Sequence, residues 1–136
     1  MIELRKTAKE VVSIVRLRAS LSSRLSRMTL PEVLSDLEKP GEPMSFESAR
    51  WSLRAAEALI RRSRVLPDTC LYRSLARYAV LRRTGRRVVF VMGIRRLDPR
   101  EITGHAWLEV DGQIYNEQRD ERLTETFRWP SSSSVG

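Results

Sequence analysis

"LPDTCLYRSLARYAVLRRTGRRVVFVMGI", residues 66–94, changes its hydrophobic period partway along, and that change decides the fold. From Cys70 onward, Leu71, Leu75, Tyr78 and Leu81 recur at spacings of three and four, which is one face of a helix. Asp68 or Thr69 can cap its start. Thr84-Gly85 supplies the stop, because glycine tolerates the left-handed backbone that closes a helix. Val88–Ile94 is then an unbroken β-prone run and reads as a buried strand.

Downstream, "LDPRE" (97–101) reads as a loop. His105–Val110 alternates, with His105, Trp107 and Glu109 on one face and Ala106, Leu108 and Val110 on the other. Asp111-Gly112 turns the chain into "QIYNEQ" (113–118), giving a hairpin. The end, "WPSSSSVG" (129–136), is low in complexity and reads as a flexible tail.

Upstream, the pattern is helical. Val11, Ile14, Leu17, Leu21, Leu25 and Met28 form one stripe, and Pro31 opens a short helix through Leu37. "EKPGEP" (38–43) punctuates the chain. Ser45 caps a third helix whose buried face is Phe46, Ala49, Leu53, Ala56 and Ile60, and "RRSRVLP" ends it, since the residue before a proline avoids the α region. The fold class is therefore α+β: a helical N-terminal portion (1–64), then a Cys-bearing helix and small antiparallel sheet (65–128), in one domain followed by the tail at 129–136.

Composition narrows the function classes. A chain of 136 residues with 41% hydrophobic residues has enough for one modest core and is no disordered polycation, despite a formal charge of +8. The single cysteine excludes an internal disulfide and fits a reducing cytosol. One Cys and one His cannot build a Cys/His structural zinc site, so neither metal nor cofactor is expected. No apolar run approaches the roughly 20 residues that span a bilayer, and charges interrupt the N-terminus where a signal peptide would be apolar, so the expected location is cytoplasmic.

Cys70 and His105 are the chain's one cysteine and one histidine, 35 positions apart. A thiol acts as a nucleophile mainly as thiolate, and a helix N-terminus or an imidazolium lowers its pKa from about 8.5. The unpaired N–H groups of the first turn can also hold an oxyanion. The bland alternatives are a packed core cysteine and a structural histidine. Their combination points instead to thiol catalysis with a third, orienting residue. Hairpin geometry offers two candidates. A two-residue loop at Asp111-Gly112 puts Asn116 opposite Trp107, on the face of His105, whereas a three-residue loop puts Glu117 opposite His105 itself.

The order of "PDTCLYRSL", "LRRTG", a strand ending "MGI" and "HAWLEVDG" resembles the lasso-peptide leader peptidases, transglutaminase-like cysteine proteases. The likeness covers Leu66–Gln118, a little over a third of the chain, and it implies a transglutaminase/papain-like core. It implies that Cys70 is the nucleophile and His105 the general base. The family's third residue, usually Asp, falls twelve positions after the His, here at Glu117, which ranks ahead of Asn116. The substitution of Glu for Asp departs from the pattern and changes the reach by one methylene. The implied activity is removal of the leader from a ribosomally made precursor, with a threonine as the penultimate leader residue. The freed core amine is then closed into a macrolactam by a separate ATP-dependent cyclase. The chain's length suggests the stand-alone form, partnered by a separate leader-recognition protein.

Two other classes compete. A thiol acyl transferase would use the same residues, with an amine in place of water. A nucleic-acid binder is prompted by "RRSR", "LRRTGRR" and "GIRR", but these lie in different elements with no recognised binding motif. Some of these arginines are instead expected to meet an acidic leader or partner surface. The helical portion is either packing support or a docking surface.

Overall fold

Among the described residues (2–39, 41–66, 68–98 and 100–130 of a computed structural model), four α-helices precede a four-stranded antiparallel sheet. Helix α1 spans Ile2–Arg27 and α2 spans Leu30–Leu37. Met28, the last residue of the predicted stripe, lies beyond the end of α1. Thr29 starts α2 with a reciprocal capping box, its hydroxyl accepting from the Glu32 N–H while Glu32 accepts from the Thr29 N–H.

Helix α3, Phe46–Ser63, begins at Ser45, whose hydroxyl accepts from the Ser48 N–H. Its inward face is Ala49, Leu53, Ala56 and Ile60, with Phe46 only half-buried. The helix stops at Arg64, in the left-handed conformation with φ 56°, so the end comes before the proline predicted to cause it. Pro67 lies outside the described residues.

Helix α4, Cys70–Leu81, is capped by Thr69, not Asp68, with the Thr69 hydroxyl accepting from the Tyr72 N–H. Its predicted single stripe understates its burial. Leu71 is half-buried, while Ala76, Arg77 and Val80 are buried along with Leu75, Tyr78 and Leu81. The reason is its position between the other helices and the sheet, all of which it contacts. One continuous core results, running from Ile14 and Leu21 through Leu53, Ala56, Leu75 and Tyr78 to Phe90 and Leu108. The helical portion is thereby packed on α4. Ion pairs across the same junction add to it: Glu10 with Arg83, Arg18 with Asp68, and Glu57 with Arg77. A short 3-10 turn, Arg82–Thr84, follows α4 and closes at Gly85, with φ 79°.

The sheet order is β3-β2-β1-β4. Strands β1 (Val88–Asp98) and β2 (Glu101–Val110) pair from Val88↔Val110 to Asp98↔Glu101. The predicted loop at 97–101 is therefore mostly strand: the ribbon continues to Asp98 and resumes at Glu101. Pro99 lies outside the described residues. Strand β3 is just Gln113–Ile114. Strand β4, Leu123–Trp129, pairs with β1 and was not foreseen, although "TETFRW" carries β-prone residues. Trp129, assigned to the tail by composition, ends β4, and its indole N–H donates to Glu38 at 2.6 Å. Residues 131–136 lie outside the described residues.

Candidate active site

Cys70 is the first residue of α4. Because Thr69 satisfies the Tyr72 N–H and the first helical bond runs from the Arg73 N–H to the Thr69 carbonyl, the Cys70 and Leu71 N–H groups have no acceptor within the helix. The positive end of the helix dipole lies at the same place. Asp68 supports this end from outside, accepting from Arg18 at 3.1 Å and lying 3.8 Å from Arg73. The Arg18 side chain is only 1% exposed, so this contact ties α1 to the start of the cysteine helix.

His105 comes from β2, and the alternation read from sequence places it correctly. Ala106, Leu108 and Val110 point into the main core, whereas His105 and Trp107 share the outer face of the sheet. The Ser74 hydroxyl, one turn into α4, donates to the Ala106 carbonyl at 3.1 Å. That bond clamps the cysteine helix to the strand at the residue after the histidine. Sequence reasoning did not single out Ser74, and its position one turn after Cys70 was the only available signal.

Three neighbours fix the imidazole. The Trp107 ring stacks on it at 5.9 Å between centroids and 22° between planes. Across the ladder, His105 faces Gly93. A side chain at 93 would lie 2.8 Å from the Thr124 carbonyl and 3.0 Å from Trp107 Cη2, so glycine is required for the indole to lie where it does. Glu117 supplies the third contact, with Oε2 at 2.8 Å from His105 Nε2. The carboxylate accepts, so Nε2 carries the proton and the Nδ1 lone pair of the neutral ring is left as base.

The hairpin corrects the parity argument. The turn is the two-residue loop Asp111-Gly112, with φ 51° and 85°, and it pairs Val110 with Gln113. An even loop was expected to present Asn116, yet the residue on His105 is Glu117. The extended conformation does not last. After the Tyr115 N–H donates to the Leu108 carbonyl, Asn116 turns left-handed, with φ 57°. This residue breaks the two-residue alternation and swings Glu117 back towards β2. Asn116 remains in the wall of the site without contacting His105.

Cys70, His105, Asn116 and Glu117 line one cavity of about 190 Å³, together with Ser74 and Ala106. The thiol and imidazole face the same space but form no hydrogen bond with one another among the described residues; such bonds commonly tighten only when substrate is bound. Arg77, Arg73 and Arg61 also border the cavity. Arg77 is held by two bonds to Glu57, at 2.7 and 2.8 Å, and lies over the Tyr115 ring. A second cleft, of about 480 Å³, opens on the other side of His105 and Glu117, walled by Trp107, Ile114, Leu123 and Arg128. Several arginines of the predicted basic clusters bind carboxylates of this chain: Arg83 with Glu10, Arg86 with Asp111, and Arg95 with Asp120. No group of acidic, histidine and cysteine side chains that could hold a metal occurs among the described residues, and no helix there is long and apolar enough to cross a membrane.

No curated protein and no solved structure matches the chain. A family model does, over residues 10–128, and its span takes in α1 as well as the cysteine helix and the sheet. A cysteine at a helix start, a histidine on the adjoining strand and an extended helical approach thus fall within one match, and the chain belongs to the transglutaminase-like superfamily, a group made up generally of cysteine-dependent enzymes.

Proposed function

We propose that the chain is a cysteine peptidase that cuts a lasso-peptide precursor between leader and core, with Cys70 as nucleophile, His105 as base and Glu117 as its orienting partner. The observation that carries this reading is the 2.8 Å contact between Glu117 and His105 in a cavity that Cys70 also lines. The superfamily supports thiol chemistry, and the order of motifs from Leu66 to Gln118 supports the leader peptidases within it.

On this reading the steps are those of a thiol peptidase. Nδ1 of His105 takes the Cys70 proton, and Glu117 stabilises the imidazolium that forms. The thiolate attacks the carbonyl of the last leader residue. The Cys70 and Leu71 N–H groups accommodate the resulting oxyanion. Collapse breaks the peptide bond, and the core leaves as a free amine carrying the proton from His105. A thioester joins the leader to Cys70. His105 then deprotonates water, which attacks the thioester and releases the leader carboxylate. A separate leader-recognition protein would deliver the precursor, and an ATP-dependent cyclase would consume the freed amine.

The test is incubation with a lasso precursor and its leader-recognition protein, read by mass spectrometry. Cleavage that Cys70→Ala and His105→Ala abolish, with circular dichroism unchanged, is the expected result. Processing by Cys70→Ala at the wild-type rate would overturn it. A leader product heavier by an added primary amine, in place of a free carboxylate, would establish the acyl transferase instead.

A further inference from the structure

Strand β2 has a free edge beside the reactive residues. In the ladder, alternate residues of β2 point their main-chain groups away from β1. The contacts identify which ones: the Leu108 carbonyl accepts from Tyr115 and the Ala106 carbonyl from Ser74, both on the side opposite β1. Two residues further back, Gly104 and then Ile102 must direct their N–H and C=O groups the same way. Strand β3 ends at Ile114, opposite Glu109, so no strand among the described residues covers them. Ile102 is 55% exposed, and Thr103 and Gly104 are exposed as well. Neither lysine nor proline, which often protect such a strand, occupies positions 102–104.

Gly104 has no internal explanation. Its φ is not positive, and a Cβ there would meet no atom within 4 Å. Gly93, its near neighbour, is required by the Trp107 ring and the Thr124 carbonyl; Gly104 is required by nothing among the described residues. Glycine within a strand often marks the close approach of another backbone.

We propose that an extended segment of the peptide substrate pairs with this edge as an added strand, exchanging main-chain hydrogen bonds with Gly104 and then Ile102 on its way past Cys70. This inference rests on the peptidase reading. The occupant follows from continuity. The edge runs directly into His105 and Ala106, which line the cavity that holds Cys70, so a chain paired at Gly104 enters that cavity. Recognition through the main chain tolerates varied side chains, while the missing Cβ at 104 leaves room for a substrate side chain alongside. Specificity for sequence would then come mainly from the clefts on either side.

The test compares two reagents that both alkylate Cys70. Iodoacetamide needs no edge. The peptide probe acetyl-Ala-Ala-Ala chloromethyl ketone does, and versions N-methylated at one alanine at a time remove single donors. Gly104→Pro removes an N–H that the ladder with β1 does not use, while Gly104→Ala keeps both main-chain groups. The expected result is a fall of about tenfold in the labelling rate by the peptide probe for Gly104→Pro, and for one N-methylated probe on the wild type. Iodoacetamide labelling should stay unchanged, and Gly104→Ala should differ by less than about threefold. Labelling by the peptide probe that neither Gly104→Pro nor any N-methylation alters, with a normally reactive thiol, would overturn the edge alone. A wild-type thiol inert to iodoacetamide would overturn the peptidase reading and the edge with it.

Discussion

The two faces of the sheet are built for different ends. The inner face sets Val88, Phe90, Ala106, Leu108 and Val110 against α4, in a core that reaches back to α1. The outer face has a much smaller cluster, Val89, Val91 and Trp107, with Ile114 and Leu123 at its margin. His105 sits on that outer face, one third exposed, and Glu117 beside it is equally so. A deep apolar face keeps the strand in place, while a shallow one leaves the imidazole open to water and to the cavity that Cys70 also lines. The difference teaches that β2 divides its residues by parity: even-numbered ones from Ala106 to Val110 face the main core, and odd-numbered ones from His105 face outward, where His105 meets Glu117 and Trp107.

The comparison is broken most completely at the cavity where the start of α4 and the outer-face residue His105 come together. Cys70→Ala and His105→Ala should each lower peptide cleavage by about a thousandfold or more, with unchanged circular dichroism. His105→Ala should also slow the alkylation of Cys70 by iodoacetamide, because it removes the base that takes the thiol proton; an unchanged rate would mean that the two residues do not pair. Glu117→Gln should reduce cleavage by about a hundredfold, since an amide can present a donor to Nε2 and favour the wrong tautomer, while Glu117→Asp retains more activity. Equal losses in both variants would show that position 117 matters only for packing.

At the inner face the loss should be of stability. Leu75→Ala removes a fully buried side chain next to the sheet and should cost about 3 kcal/mol in urea unfolding. The fraction still folded should alkylate at the wild-type rate. Gly93→Ala joins the two faces: its methyl would press on the Thr124 carbonyl and the Trp107 ring, so both melting temperature and cleavage should drop. A drop in one alone would mean that the indole does not link ladder to imidazole.

The smallest effect concerns pH. Burial, then the hydrogen bond to Glu38, holds the Tyr78 phenol well above its ordinary value of 10.0. A raised folded-state pKa means that the folded chain keeps a proton that the unfolded chain releases. Its contribution is therefore complete below pH 10 and declines as pH rises beyond it. The melting temperature should fall more steeply above pH 10 in the wild type than in Tyr78→Phe. Parallel slopes would remove Tyr78 from the account.

Much of this molecule could be read from sequence because its signals are local. Ser45 and Thr69 cap helices with their own hydroxyls, Gly85 closes a helix, and the alternation from His105 to Val110 reports burial by parity. Where reading failed, the cause was distant. Composition made 97–101 a loop, but cross-strand pairing extended both strands through most of it. Trp129 looked like tail because its hydrogen-bond partner, Glu38, is 91 positions away.

The sequence by itself determined the helical approach, the helix that begins at Cys70, the strand face that carries His105 and a turn at Asp111-Gly112, though not whether its loop holds two residues or three. Each depends on residues a few positions apart. Only the tertiary structure decided that Glu117 meets the imidazole and Asn116 does not. That choice depends on where the β3 ladder ends and on a single left-handed residue, Asn116, which cancels the alternation that sequence parity assumes. Tertiary structure likewise brought Ser74 to the Ala106 carbonyl, because a hydrogen bond spanning 32 positions leaves no periodic trace in the chain.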